Sequence, residues 1–272
     1  GTSGGSTICY DACVVGNRIY VSSQHRVSIF SADDFSYLGY FGSYGTGDGQ
    51  FEIQRSICSD GQYLFVVDEY NHRIQKFTLS GEFVSKAGSL GSGNDEFNHP
   101  HCIRYYDGKL YIADPYNNRI NIRSAEDLSF IENFSLTYQP LGCWIDTENN
   151  YILITTWAEV YVHQLSDFSL VKSKTGLPLL RGIFQKDNYV YISEITEHKI
   201  RRLNYSDLSD AGYYEPGQGS LPGQLNQPHY LNFWQERNLI LIANEGSPYY
   251  VVGITPDLKF QSNPDGYIEI GK

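Results

Sequence analysis

Methionine is absent from this chain, and no run of 18 apolar residues occurs. The second absence excludes a membrane-spanning helix, so no membrane insertion is expected. Basic residues are in deficit: 20 Lys and Arg stand against 31 Asp and Glu, a net charge of −11. Capture of a phosphate backbone needs a basic stripe that releases counterions, so nucleic acid is a poor partner for this chain. Cysteine is scarce and odd in number, at five, which leaves at least one thiol unpaired within the chain. On one extended strand Cys9 and Cys13 stand roughly 13 Å apart, too far for a disulfide. We read all five as buried core thiols. Missing as well is any sustained apolar period of 3.6, so helix is expected to be nearly absent. No Gly-x-Ser-x-Gly elbow, phosphate loop or His-Glu-x-x-His occurs, which leaves the common serine, nucleotide and zinc-protease chemistries without a motif. The initiator Met is also lacking, and we read Gly1 as a processed or excised terminus. The compartment stays open, with a lean to an extracellular or surface-exposed one; Asn133-Phe-Ser135 and Asn204-Tyr-Ser206 match the glycosylation pattern.

What the chain does have is aromatic residues, glycine and a repeat. Asp68-Glu-Tyr-Asn71-His-Arg73-Ile74 and Asp114-Pro-Tyr-Asn117-Asn-Arg119-Ile120 are one heptad written twice, 46 residues apart. A period near this length that carries only strand-like runs is the signature of propeller blades. Each unit opens on a Gly-rich lead-in, then an innermost strand, a Gly or Asn turn, a β-rich run, the heptad and two outer strands. Blade two shows all of these: Gly45-Thr-Gly47-Asp-Gly49-Gln-Phe51, a turn at Asp60-Gly61, and strands near 55–59, 63–67, 74–79 and 83–87. Blade three repeats the lead-in as Gly91-Ser-Gly93-Asn-Asp-Glu-Phe97, and blade six reopens it at Gly217. The predicted architecture is all-β: a six-bladed β-propeller of four-stranded antiparallel blades, read as one domain over 1–272. Approximate blades are 1–42, 43–88, 89–136, 137–176, 177–216 and 217–272. A closed ring leaves no long strand edge exposed. Residues 1–7 and 267–270 are both candidates for the strand that seals it, and the ragged start and end fit one module of a longer protein.

Gly-x-Gly-x-x-x-Phe, followed after a β run by Asp-x-x-Asn-x-Arg-Ile, resembles the NHL-repeat family of six-bladed propellers. Blades two and three carry the motif closely, five and six in part, one and four by strand spacing. That family includes RNA-binding modules, protein-interaction modules, extracellular domains and one lyase branch, so the resemblance implies the fold more sharply than the activity. The heptad Asp, Asn and Arg are expected to staple their own blade. His25, His72 and His198 recur at one position of different blades and are not expected to share a metal.

Function is sought in the residues that open the innermost strands, because closure points all six toward one channel mouth. Aligned two before an apolar anchor they are Asp11, Arg55, His101, Leu141, Arg181 and His229. Gathering Arg55, Arg181, His101 and His229 in an acidic chain suggests an anion site, where Arg forks hold a carboxylate or phosphate. Tyr70, Tyr116, Trp157, Tyr249 and Tyr250 fall on the same face, and aromatic side chains are enriched at interfaces. The leading expectation is a non-catalytic recognition propeller that binds a protein, peptide or glycan there, without a cofactor. The second reading rests on Pro100-His101 and Pro228-His229, which resemble the zinc-binding Pro-His motifs of the peptidyl-hydroxyglycine amidating lyases. In those enzymes three such histidines hold the metal. Here two exist, so a zinc or calcium site for a lyase or hydrolase needs Asp11 as third ligand, with Arg55 or Arg181 as electrophile. A third reading, an RNA-binding module, lacks the extra Lys and Arg that it needs.

Overall fold

The structure, a computed structural model, describes residues 8–219, 224–244, 250–259 and 267–269. Valine, isoleucine and aromatic residues fill short strands that twist and pair antiparallel, four to a sheet, in six successive sheets. The innermost strands are Cys9–Val15, Gln54–Ser59, Cys102–Tyr106, Gly142–Asp146, Leu180–Lys186 and Pro228–Trp234. Within each blade the pairing follows chain order from the innermost strand outward. Tight turns are bought with left-handed backbone: Asp107 and Gly108, at φ 48° and 73°, are the pair that a type I′ hairpin requires. Among the described residues, helix is limited to the 3₁₀ turns Pro115–Asn117 and Gln235–Arg237.

The core lies between blades. Tyr20, Val27, Ile29 and Phe41 of blade one close on Phe51, Ile57, Leu64, Val66 and Phe77 of blade two. At the seam where the ring meets itself, Cys9, Ala12, Ile19 and Val21 pack on Trp234, Leu241, Ala243 and Val251. Of the two candidate sealing segments, 267–269 forms the fourth strand of blade six, paired to Tyr250–Ile254; residues 1–7 and Ile270 lie outside the described residues. Within those residues every blade is built from one contiguous stretch of chain, so closure rests on packing across the seam.

Polar clamps reinforce these contacts from one blade to the next. Tyr20 and Tyr191 hold the same place in their blades, and each hydroxyl donates to a loop carbonyl of the following blade: Leu79 O at 2.8 Å and Pro256 O at 2.6 Å. Lys76 Nζ donates to Ala125 O and Glu126 O, and Arg237 Nη2 to Ala32 O across the seam. A buried carbonyl left unpaired costs free energy, so these bonds tie blade order to loop geometry.

Candidate functional site

The heptads act as blade staples. Asp68 accepts from Arg73 Nε at 2.8 Å, Asn71 Nδ2 at 2.9 Å and the Glu52 N–H at 3.0 Å. The Arg73 fork then donates to Thr46 O, Gly47 O and Gln50 O, the carbonyls of the glycine lead-in. Blade three repeats the device with Asp114, Asn117 and Arg119, which fasten to Gly91 O, Ser92 O, Gly93 O and Glu96 O. Carboxylate and guanidinium are both spent inside the blade. Two of the repeated histidines do one task in separate blades: His72 Nδ1 accepts the His99 N–H at 3.1 Å and His198 Nδ1 the Gln227 N–H at 3.0 Å, each just before a Pro-His pair.

Pairing register fixes what stands at the mouth. Ala12 faces Val21, as Ile57 faces Val66, Ile103 faces Ile112, Cys143 faces Ile154, Ile183 faces Ile192 and Leu231 faces Ile242. Two residues before each lie Tyr10, Arg55, His101, Leu141, Arg181 and His229. Five of the six expected residues therefore hold the slot, and Asp11 does not. In blade one the apolar anchor is Ala12 in place of Cys13: Ala12 faces Val21 and Cys13 faces Tyr20, and the one-residue bulge that precedes the anchor is shared with blades two, five and six. Asp11 drops one tier, level with Ser56, Cys102, Gly142, Gly182 and Tyr230.

The backbone of the mouth tier is set by hydroxyls on the preceding blade. Thr155 Oγ1 donates to Arg181 O at 2.6 Å, and Ser193 Oγ donates to His229 O. Glycine below the mouth permits this approach: a Cβ on Gly182 would lie 2.6 Å from His229 O. Arg55 stacks over Tyr10 at 4.6 Å, Tyr10 meets His229 edge to face at 5.2 Å, and Arg181 lies over Trp157 at 4.5 Å.

One residue absent from the expected set organises the charges. Glu69, the second residue of the heptad, is 4 % exposed; it pairs with Arg55 Nε and lies 3.3 Å from His101 Nε2 and 3.8 Å from His99 Nδ1. Burial pushes its carboxyl up, but the hydrogen bond and charge of His101 and the charge of Arg55 prevail and hold it at about 2. His101 itself is lowered by burial, against the pull of Glu69. Both residues draw on one proton; we assign carboxylate to Glu69, neutral imidazole to His101, and the positive charge to Arg55. The anion site expected at Arg55, Arg181, His101 and His229 is thus a mixed site, in which Arg55 already holds a carboxylate. It is also more covered than an open channel: Tyr10, His101 and His229 are buried, and the Arg55 side chain keeps 15 % of its surface.

Solvent meets the aromatic rim instead. Tyr70 is 44 % exposed, Tyr116 54 % and Trp157 42 %. His99 is fixed edge-on between Tyr70 at 5.1 Å and Tyr116 at 5.4 Å, and the Trp157 Nε1–H donates to Gln139 Oε1 at 3.0 Å. Tyr249 lies outside the described residues, and Tyr250 is described only as a backbone position opening the strand Tyr250–Ile254.

Below the mouth the axis is filled. Arg104 of blade three reaches Asp11 Oδ2 of blade one and Ser56 Oγ of blade two, both at 3.0 Å, and Leu231 O of blade six at 3.2 Å. Asp11 is fully buried. Burial pushes its carboxyl above the usual range, and Arg104, Ser56 and the Ile57 N–H pull against that. Every contact on its oxygens is a donor, including the Ala12 N–H, so the tier holds the carboxylate. A His101, His229 and Asp11 ligand set is therefore split between tiers, with Asp11 committed to Arg104. Among the described residues no group of three or more His, Cys, Asp or Glu is placed to hold a metal ion. On the opposite face, a cleft of about 300 Å³ follows the seam between blades one and six, lined by Asn17, Asp33, Trp234, Glu236 and Arg237.

Comparison with known proteins bears on the fold. Residues 46–214 match the family DUF5128, described as "6-bladed beta-propeller". No curated protein matches the chain. Among solved structures, it is similar to a chain of hydrazine synthase from Kuenenia stuttgartiensis at 12 % identity and a TM-score of 0.66, covering 94 % of this chain and 78 % of that one. At that identity the likeness is one of fold.

Proposed function

The chain belongs to the DUF5128 family of six-bladed β-propellers, and on that premise we propose that it is a non-catalytic recognition propeller. It binds a protein, peptide or glycan on the mouth face, through the rim of Tyr70, His99, Tyr116 and Trp157 and the edges of Arg55 and Arg181. The observation that carries this reading is the exposed aromatic rim set around a buried, preorganised charge cluster. Rigid tyrosines and tryptophans supply contact area at low entropic cost, and the fixed Arg and Glu groups orient a polar partner. Leu141 in one mouth slot and Asp11 held by Arg104 argue for binding over metal-assisted lyase chemistry.

A screen of the full chain over glycan and peptide arrays tests this, with Arg181→Ala and the double substitution Tyr70→Ala/Tyr116→Ala run in parallel. Binding that falls by about tenfold or more in the variants supports a hot spot on this face. Binding indifferent to both variants places recognition elsewhere.

A further inference from the structure

The tier beneath the mouth contains a chemistry that recognition does not use. Cys102, next to His101, and Cys143, two residues beyond Leu141, come from the innermost strands of neighbouring blades, with Sγ atoms 3.7 Å apart. They are the one pair of sulfurs in contact among the described residues. Cys9, Cys13 and Cys58 are buried thiols without such a neighbour. The pair is asymmetric. Cys102 Sγ faces the Cys143 thiol and the Cys143 carbonyl oxygen, both at 3.7 Å, the Cys143 N–H at 3.4 Å and the Ser56 hydroxyl at 4.0 Å; the N–H and hydroxyl donors set it apart. Cys143 Sγ faces Tyr111 O at 3.7 Å as well as its partner.

We propose that Cys102 and Cys143 form a peroxide-sensitive dithiol, oxidised to a disulfide that joins blades three and four under the mouth. Cys102 is the attacking sulfur. Burial pushes its thiol up, but the Cys143 S–H, the Arg104 charge and the Cys143 N–H together bring it below its ordinary value, with Asp11 opposing them. Cys143, which donates its S–H and is buried, is raised. The Cys102 thiolate attacks one oxygen of hydrogen peroxide; an S–O bond forms, the O–O bond breaks, and the departing hydroxide leaves as water with one proton. Cys143, losing its proton, then attacks the Cys102 sulfenic sulfur. The S–S bond forms, the S–O bond breaks and a second water departs, so two thiols are oxidised and one peroxide is reduced. A disulfide needs sulfurs about 2.05 Å apart, so the two must close by less than about 2 Å, within the reach of χ1 adjustments on adjacent strands. Both sulfurs are buried, so the oxidant proposed is peroxide, for its small size, where a bulky disulfide oxidant would have to open the blades.

The test is thiol mapping on the folded full-length chain, reduced, exposed to hydrogen peroxide, then alkylated under denaturing conditions and digested. The expected result is loss of two of the five alkylatable thiols, a peptide pair linking Cys102 to Cys143, and reversal by reductant. Cys58→Ala should leave the linked pair intact. Cys143→Ala should trap a sulfenic acid on Cys102 that dimedone captures. Five alkylatable thiols after exposure, a link through other cysteines, or sulfinic acid on Cys102 of the unsubstituted chain would each overturn the proposal. The mapping on the unsubstituted chain decides the matter even if a variant fails to fold.

Discussion

The mouth tier and the tier directly beneath it are built by the same six strands, one residue apart, yet they do opposite things with charge. At the mouth, Arg55, Glu69 and His101 meet an aromatic rim that remains open to solvent. One step down, Arg104 ties blades one, two and six across the axis and is sealed from water with Asp11. The upper tier spends its ion pair on orienting side chains that face outward. The lower spends its pair on holding the blades together. A single residue of register separates the proposed recognition surface from a structural plug, and that separation is open to experiment.

The largest effect is expected in the lower tier. Arg104→Ala strands the Asp11 carboxylate without its cation, and breaking a buried pair costs about 3–5 kcal/mol; denaturant unfolding should show it as a lowered midpoint. Next, Gly182→Ala forces a Cβ to within 2.6 Å of His229 O. Overpacking of that kind costs about 1–3 kcal/mol, and loss of less than half of this would mean that the inner strands have slack.

Glu69 gives a smaller, pH-dependent effect at the boundary between the tiers. Its folded pKa is depressed to about 2 from an ordinary value of 4.5. The carboxylate therefore contributes stability that is fully present above pH 4.5 and is lost as the pH falls toward about 2. Unfolding of the native chain and of Glu69→Gln, measured side by side down that range, should converge as the pH drops. A constant gap between them would show that the Glu69 charge is not what stabilises the mouth.

How far these tiers were legible in the sequence depends on which part of the repeat carries them. The heptads, with Asp, Asn and Arg at fixed offsets, announce the blades, and the innermost strands fall where the repeat places them. Blade one lacks the heptad, so only the choice of apolar anchor aligned it, and taking Cys13 in place of Ala12 put Asp11 one tier too high. Glu69 was hidden for the opposite reason: it sits inside the clearest motif, where it reads as a turn spacer between Asp68 and Asn71. Its role arises from partners distant in sequence, Arg55, His99 and His101, which no local pattern encodes. Arg104 was equally invisible, since its partner Asp11 lies 93 residues away, and so were the clamps from Tyr20, Lys76 and Tyr191, since each partner is a carbonyl on another blade. A backbone acceptor leaves no mark on the sequence. The aromatic rim was legible because Tyr70 and Tyr116 are copies of one heptad position.

The contrast between the tiers comes down to one paired measurement: affinity for the best-bound array ligand and the unfolding midpoint, both taken for the native chain, Arg181→Ala and Tyr70→Ala/Tyr116→Ala. Substitutions at exposed positions such as Tyr70 and Tyr116 shift stability by only about 0.5 kcal/mol, so the account predicts that the double variant weakens binding by about tenfold or more at a nearly unchanged midpoint, and that the partly buried Arg181→Ala weakens binding by more than any loss of stability explains. Binding that survives both variants, or that falls only in step with stability, would contradict it.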